Sequence, residues 1–66
     1  NVLHVLRAEK KITQQELADI LGVTRATINA LEKGNYNPSL ELAFRLSMYF
    51  EKNINDIFSV EDYHEF

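Results

Sequence analysis

The residues best equipped for chemistry lie between two glycines, in the stretch GVTRATINALEKG from Gly22 to Gly34. Wound as a helix at about 100° per residue, this stretch turns Ile28, Leu31 and Thr24 one way and Ala26, Asn29, Ala30 and Lys33 the other. Arg25 and Thr27 lie on the flanks. A solvated helix ordinarily carries long charged side chains on its outer face. Here Ala26 and Ala30 keep that face shallow, so the backbone could approach the floor of a DNA major groove, where an alanine methyl can meet a thymine methyl. Arg25 would then reach guanine O6 and N7 or a phosphate, and Asn29 would bond adenine or the DNA backbone. Lys33 suits a phosphate. A helix that only packs on one side and meets water on the other is the competing reading.

Other chemistry has little to rest on. His4 and His64 are far apart and the chain has no cysteine, so a histidine-based metal site is not expected. Glu61, Asp62, His64 and Glu65 read as a solvated acidic tail. There is no glycine loop to cradle phosphate, and no nucleophile with a base and an orienting acid, so neither an enzyme nor a cofactor is expected. Phe44, Met48 and Tyr49 suit packing or an edge better than a cofactor.

Sixty-six residues make one domain, and at this size only about 60% of the unfolded chain's surface is buried on folding. Without cysteine, apolar packing or a partner chain must supply the stability. The apolar runs are far shorter than the roughly 20 residues a membrane span needs, and a cytoplasmic setting is expected. The net charge of −3 is unevenly spread: residues 1–37 sum to +1 and residues 38–66 to −4. A polyanion is tolerated by the first half and repelled by the second.

The elements that must position the 22–34 stretch are helices, because no apolar-polar alternation is long enough for a strand. Helix 1 spans about Val2 to Lys10 with Leu3 and Leu6 inward. Thr13 opens helix 2 with a capping box to Glu16, and Leu17, Ile20 and Leu21 form its apolar stripe before Gly22 breaks it. Thr24 caps helix 3, which runs to Lys33 and stops at Gly34. After the turn at NYNP, Ser39 caps helix 4, with Leu40, Ala43, Leu46, Ser47 and Phe50 as its stripe. Asn53 caps a short helix 5 carrying Ile54, Ile57 and Phe58. The expected fold is all-α, five helices in residues 1–58, with a tail at 59–66.

Residues 14–33, QQELADILGVTRATINALEK, set two short helices about the turn at Gly22, a helix-turn-helix arrangement in which the small Ala18 allows close approach. This pattern, with TQQELAD across its start and EKGNYNPSLELA across its end, resembles the lambda-repressor-like, xenobiotic-response-element family of bacterial and phage transcriptional regulators, over Leu3 to Phe58. The resemblance implies a compact five-helix DNA-binding domain with helix 3 as the recognition helix. In such folds the first helix of the pair crosses the DNA backbone, which makes Gln14 a phosphate clamp at the positive end of helix 2, with Gln15 sharing the task. It also implies phosphate contacts from Asn35, Tyr36 and Asn37, of which Tyr36 and Asn37 read equally well as plain turn. Thr24, Arg25, Ala26, Thr27, Asn29, Ala30 and Lys33 complete the expected DNA surface.

The family further implies a structural ion pair between helix 1 and the recognition helix, here Arg7 and Glu32. Some short members pair their ends as a sheet across a two-fold axis, which points to Val60, Tyr63 and Phe66 as a dimerisation strand. The expected protein is a regulator, most often a repressor, that binds a double-stranded operator as a homodimer without a small-molecule ligand. The alternative is the same fold used as a protein-interaction module, antitoxin-like or adaptor, with the acidic half facing its partner.

Overall fold

The computed structural model describes residues 1–59. Val60, Tyr63 and Phe66, with the expected dimerisation strand, and the acidic residues around them lie outside the described residues.

Among the described residues five helices follow one another: α1 (Leu3–Glu9), α2 (Gln14–Leu21), α3 (Arg25–Glu32), α4 (Leu40–Phe50) and α5 (Ile54–Ile57). Their ends are set by local chemistry. Thr13 accepts from the Glu16 N–H while the Glu16 carboxylate accepts from the Thr13 N–H, closing the capping box. Thr24 and Ser39 cap α3 and α4 without a reciprocal bond, their hydroxyls accepting from the Thr27 N–H and the Leu42 N–H. Asn53 precedes α5 without a side-chain cap, contrary to expectation; the Asp56 N–H that its side chain would have met bonds to the Asn53 backbone carbonyl at 2.9 Å instead. Gly22 ends α2 at φ +73°, in the left-handed region where a side chain would be strained.

The core gathers apolar residues from every helix: Leu3 and Leu6, Leu17, Ala18 and Leu21, Ile28 and Leu31, Leu42, Ala43, Leu46 and Phe50, then Ile57 and Phe58. Ala18 is fully buried between α2 and its neighbours, and the lack of a longer side chain there lets α3 close on α2.

Three inward expectations fail. Ile20 is half exposed and Leu40 is 71% exposed, because the inner face of α4 runs through Leu42, Ala43, Leu46 and Phe50 rather than starting at Leu40. Thr24 is exposed as well: as the residue before the first helical turn it caps instead of packing.

Two polar ties fasten helix ends to neighbouring elements. Arg45 on α4 donates from Nη1 to the carbonyl of Leu21 at 3.0 Å, supplying a cation at the negative end of α2. Asn1 donates from its amide to the Leu31 carbonyl at 2.8 Å and accepts from the Leu3 N–H at 3.1 Å, linking the start of α1 to the end of α3. No helix among the described residues is long and apolar enough to cross a membrane.

Candidate nucleic-acid interface

α3 is held on the inside by Ile28 and Leu31 and on one side by a polar network. Arg7 on α1 donates from Nε to Glu32 Oε2 at 2.7 Å and from Nη2 to Glu32 Oε1 at 3.3 Å. Its third donor, Nη1, reaches the Ile12 carbonyl at 2.9 Å. The pair is partly withdrawn from water, with 22% of the Arg7 side chain and 9% of the Glu32 side chain exposed. Burial pushes the Glu32 carboxyl up, but hydrogen bonds from Arg7 and Gln14, with the charges of Arg7 and His4, outweigh it and hold the group below its ordinary 4.5. The hydrogen bond to Glu32 raises Arg7 further, against the effect of its own burial.

Gln14, the first residue of α2, extends this network. Its amide nitrogen donates to Glu32 Oε1 at 3.1 Å and to Asn29 Oδ1 at 3.3 Å. Arg7, Gln14, Asn29 and Glu32 are thereby drawn into one cluster across three helices. Both donors of the Gln14 side chain are engaged there, so the donors this residue offers outward are on its backbone. The capping box uses the N–H groups of Thr13 and Glu16, while those of Gln14 and Gln15 open the helix. Gln15 bonds its own helix, from Nε2 to Asp19 Oδ1 at 2.9 Å.

The outer face of α3 is sparse. Arg25, Ala26 and Lys33 are exposed, while Thr27, Asn29 and Ala30 are half-buried. The Thr24 and Thr27 hydroxyls lie 3.0 Å apart and share a hydrogen bond at the helix entrance. The side chains of Arg25 and Lys33 have no partner among the described residues, so both cations are available. Arg25 also lines a shallow depression with Arg7, Thr13, Gln14 and Gln15. There the start of α2 and the first turn of α3 meet, and the depression's chemistry suits an anion: the Arg25 guanidinium, a threonine, and backbone donors at a positive helix end.

Asn35, Tyr36 and Asn37 are placed at the opposite end of α3, exposed on the connection to α4. Asn35 N–H closes onto the Ala30 carbonyl at 2.9 Å, and buried Pro38 pins the far side of the loop. A helix of eight residues is about 12 Å long, so the two groups of expected contacts bracket α3 rather than converge. Sequence reasoning missed Arg45 and Asn1. Each acts by meeting a helix-end carbonyl, which leaves no trace in the apolar pattern.

A family model described as Helix-turn-helix matches residues 3–57, almost the whole described domain. The chain belongs to the lambda-repressor-like helix-turn-helix family. In this helix-turn-helix frame α2 and α3 are the two helices of the motif. A regulator of Methanocaldococcus jannaschii, named an uncharacterized HTH-type transcriptional regulator, is 52% identical over 62 residues, covering 94% of each chain. The HTH-type transcriptional regulator YgzD of Bacillus subtilis, also uncharacterized, is 40% identical over 62 residues, again covering 94% of each. The transcriptional activator BcrR of Enterococcus faecalis is 35% identical over 60 residues, which are 91% of this chain and 29% of that protein.

Proposed function

We propose that the chain is a sequence-specific DNA-binding transcriptional regulator that sets α3 in the major groove of its operator and represses by occupancy as a homodimer. The observation that carries this reading is the outer face of α3, where Ala26 and Ala30 lie between the unpartnered cations Arg25 and Lys33. A low face permits close approach to base edges, and a cation toward each end meets the phosphates that line the groove.

The backbone donors of Gln14 and Gln15 take one phosphate at the start of α2, beside Arg25. Asn35, Tyr36 and Asn37 take others beyond the far end of α3. The names of the relatives, HTH-type transcriptional regulators, agree with this reading. Arg7 and Glu32 stay out of the contact and hold α3 in place.

A single small DNA-binding module contributes roughly 600–1,000 Å² of interface, and pairing two across a palindromic site supplies the rest. The support for a homodimer is an apolar ridge on α4: Leu40, Phe44 and Met48, four residues apart, are 71%, 51% and 76% exposed. The same ridge would serve an adaptor or antitoxin-like module, the second reading.

Selection of fragments from a random double-stranded pool, over a salt series, separates the two. A regulator recovers a defined sequence with affinity that falls steeply as salt rises. No enrichment at low salt overturns the DNA-reading proposal. A reporter gene placed behind the recovered site then gives the sign of regulation; raised expression overturns repression.

A further inference from the structure

We propose that the Arg7–Glu32 ion pair, acting through Gln14, fixes the direction in which Asn29 presents its amide, so that Asn29 reads its base with a donor of set position. This rests on the reading of α3 as the DNA-facing helix. The argument follows hydrogen-bond polarity from one residue to the next. A guanidinium has only donors and an ionised carboxylate only acceptors. Glu32 Oε1, already accepting from Arg7 Nη2, can meet Gln14 only through the Gln14 NH₂ group, at 3.1 Å. The opposite orientation would press the Gln14 carbonyl oxygen against a carboxylate.

The second hydrogen of that NH₂ group points to Asn29, at 3.3 Å, and must find an acceptor there. Asn29 therefore turns Oδ1 toward Gln14 and leaves Nδ2 on the far side of its amide, with no partner among the described residues. An isolated asparagine on a helix flips its amide at little cost and tolerates either polarity in the base it meets. Here a flip would break the contact with Gln14 and set two NH₂ groups face to face. Asn29 thus offers a donor at one place, which donates to guanine O6 or N7, adenine N7 or thymine O4, and is repelled by the N4 amino group of cytosine. Gln14 is a positioning residue in this scheme, and Glu32 sets its sense.

The experiment uses the selected operator and measures binding to every single-base variant. Asn29→Ala first identifies the base pair that Asn29 reads, as the position where discrimination disappears. At that position the whole chain should bind about tenfold more weakly when the pair is replaced by one that places cytosine under Asn29. Gln14→Met, which keeps the bulk but removes both amide atoms, should compress that ratio to two- or threefold and leave the profile at other positions intact. Glu32→Gln should do the same, because a neutral amide no longer imposes a direction, and melting curves of both variants establish that they are folded. An unchanged ratio in folded Gln14→Met, a preference for cytosine, or no position altered by Asn29→Ala overturns the inference while leaving the DNA-binding proposal standing. Failure of the wild-type chain to select any sequence overturns both.

Discussion

Arg7 Nε lies 2.7 Å from Glu32 Oε2, and this contact joins α1 to α3 across 25 residues of sequence. Removing one partner of a buried pair leaves the other charge uncompensated, at a cost of about 3–5 kcal/mol; replacing both by apolar groups is often neutral. Because Arg7 keeps some contact with water, Arg7→Ala should cost about 3 kcal/mol. In a domain of this size that lowers the melting temperature by about 12–24 °C. The double variant Arg7→Met, Glu32→Leu should recover most of the loss. A melting curve unmoved by Arg7→Ala would contradict the structural role assigned to the pair.

The same pair gives stability a pH dependence of known sign. Glu32 has a folded-state pKa below its ordinary 4.5, so the folded chain binds fewer protons than the unfolded chain in that range. Its stabilisation is therefore complete above about pH 5 and is lost as pH falls through 4.5 toward the lower folded value. Arg7 is shifted upward and stays charged throughout, so it adds no slope. Urea unfolding between pH 3 and 7 should show a steeper acid loss in the wild type than in Glu32→Gln. Parallel curves would remove Glu32 as the source.

Arg45 takes part in two contacts of unequal worth. Its bond to the Leu21 carbonyl at 3.0 Å meets a helix end, whereas its ion pair with Glu41 at 3.5 Å is open to solvent. Exposed pairs of this kind contribute about 0–1 kcal/mol and are screened by salt, while a charge-assisted bond to a helix-terminal carbonyl contributes about 1 kcal/mol or more. Arg45→Ala should thus destabilise by about 1 kcal/mol and Glu41→Ala by less than about 0.5 kcal/mol. Equal losses in thermal unfolding would mean that the pair, and not the carbonyl, is what matters.

Lys33 is exposed at the end of α3, and its side chain has no partner among the described residues. In DNA binding it should contact a phosphate, so Lys33→Ala should weaken all sequences alike and reduce the slope of log affinity against log salt by about 1. A change in base preference without a change in slope would assign it to base reading instead.

The α4 ridge separates assembly from folding. Phe44 is half exposed and outside the core, so Phe44→Glu should leave the melting temperature of a dilute sample within a few degrees of wild type while shifting sedimentation from dimer to monomer. Binding to a full palindromic operator should drop much further than binding to a half-site. A wild-type chain that sediments as a monomer at high micromolar concentration would remove the homodimer.

Much of this fold can be read from residue spacing because its boundaries are written in local chemistry. Thr13, Thr24 and Ser39 have side-chain acceptors one step before a helix, and Gly22 has the freedom to turn left after one; each acts within four residues of itself. The two apolar misreadings share one cause. Ile20 and Leu40 sit at helical intervals from core residues, but periodicity specifies a stripe and not its edges. Which apolar residue falls beyond the edge depends on how closely a neighbouring helix approaches.

The outer face of α3 was legible for the same reason as its core face, since both follow from 100° per residue. The connection of Gln14 to Asn29 was not. It depends on α2 and α3 meeting at the angle that Ala18 permits, and on the sense of a carboxylate brought in from a residue whose partner lies on α1. No spacing in the sequence links Arg7 to Glu32; only the resemblance to a family pairs them.

The uncovered ridge of Leu40, Phe44 and Met48 bears on how such a regulator would be controlled. If two copies must meet there before an operator is filled, occupancy at low abundance rises with the square of the chain's concentration. Halving synthesis would then cut occupancy about fourfold, and a promoter could be released by dilution during growth. The amount of protein in the cell would itself be the signal.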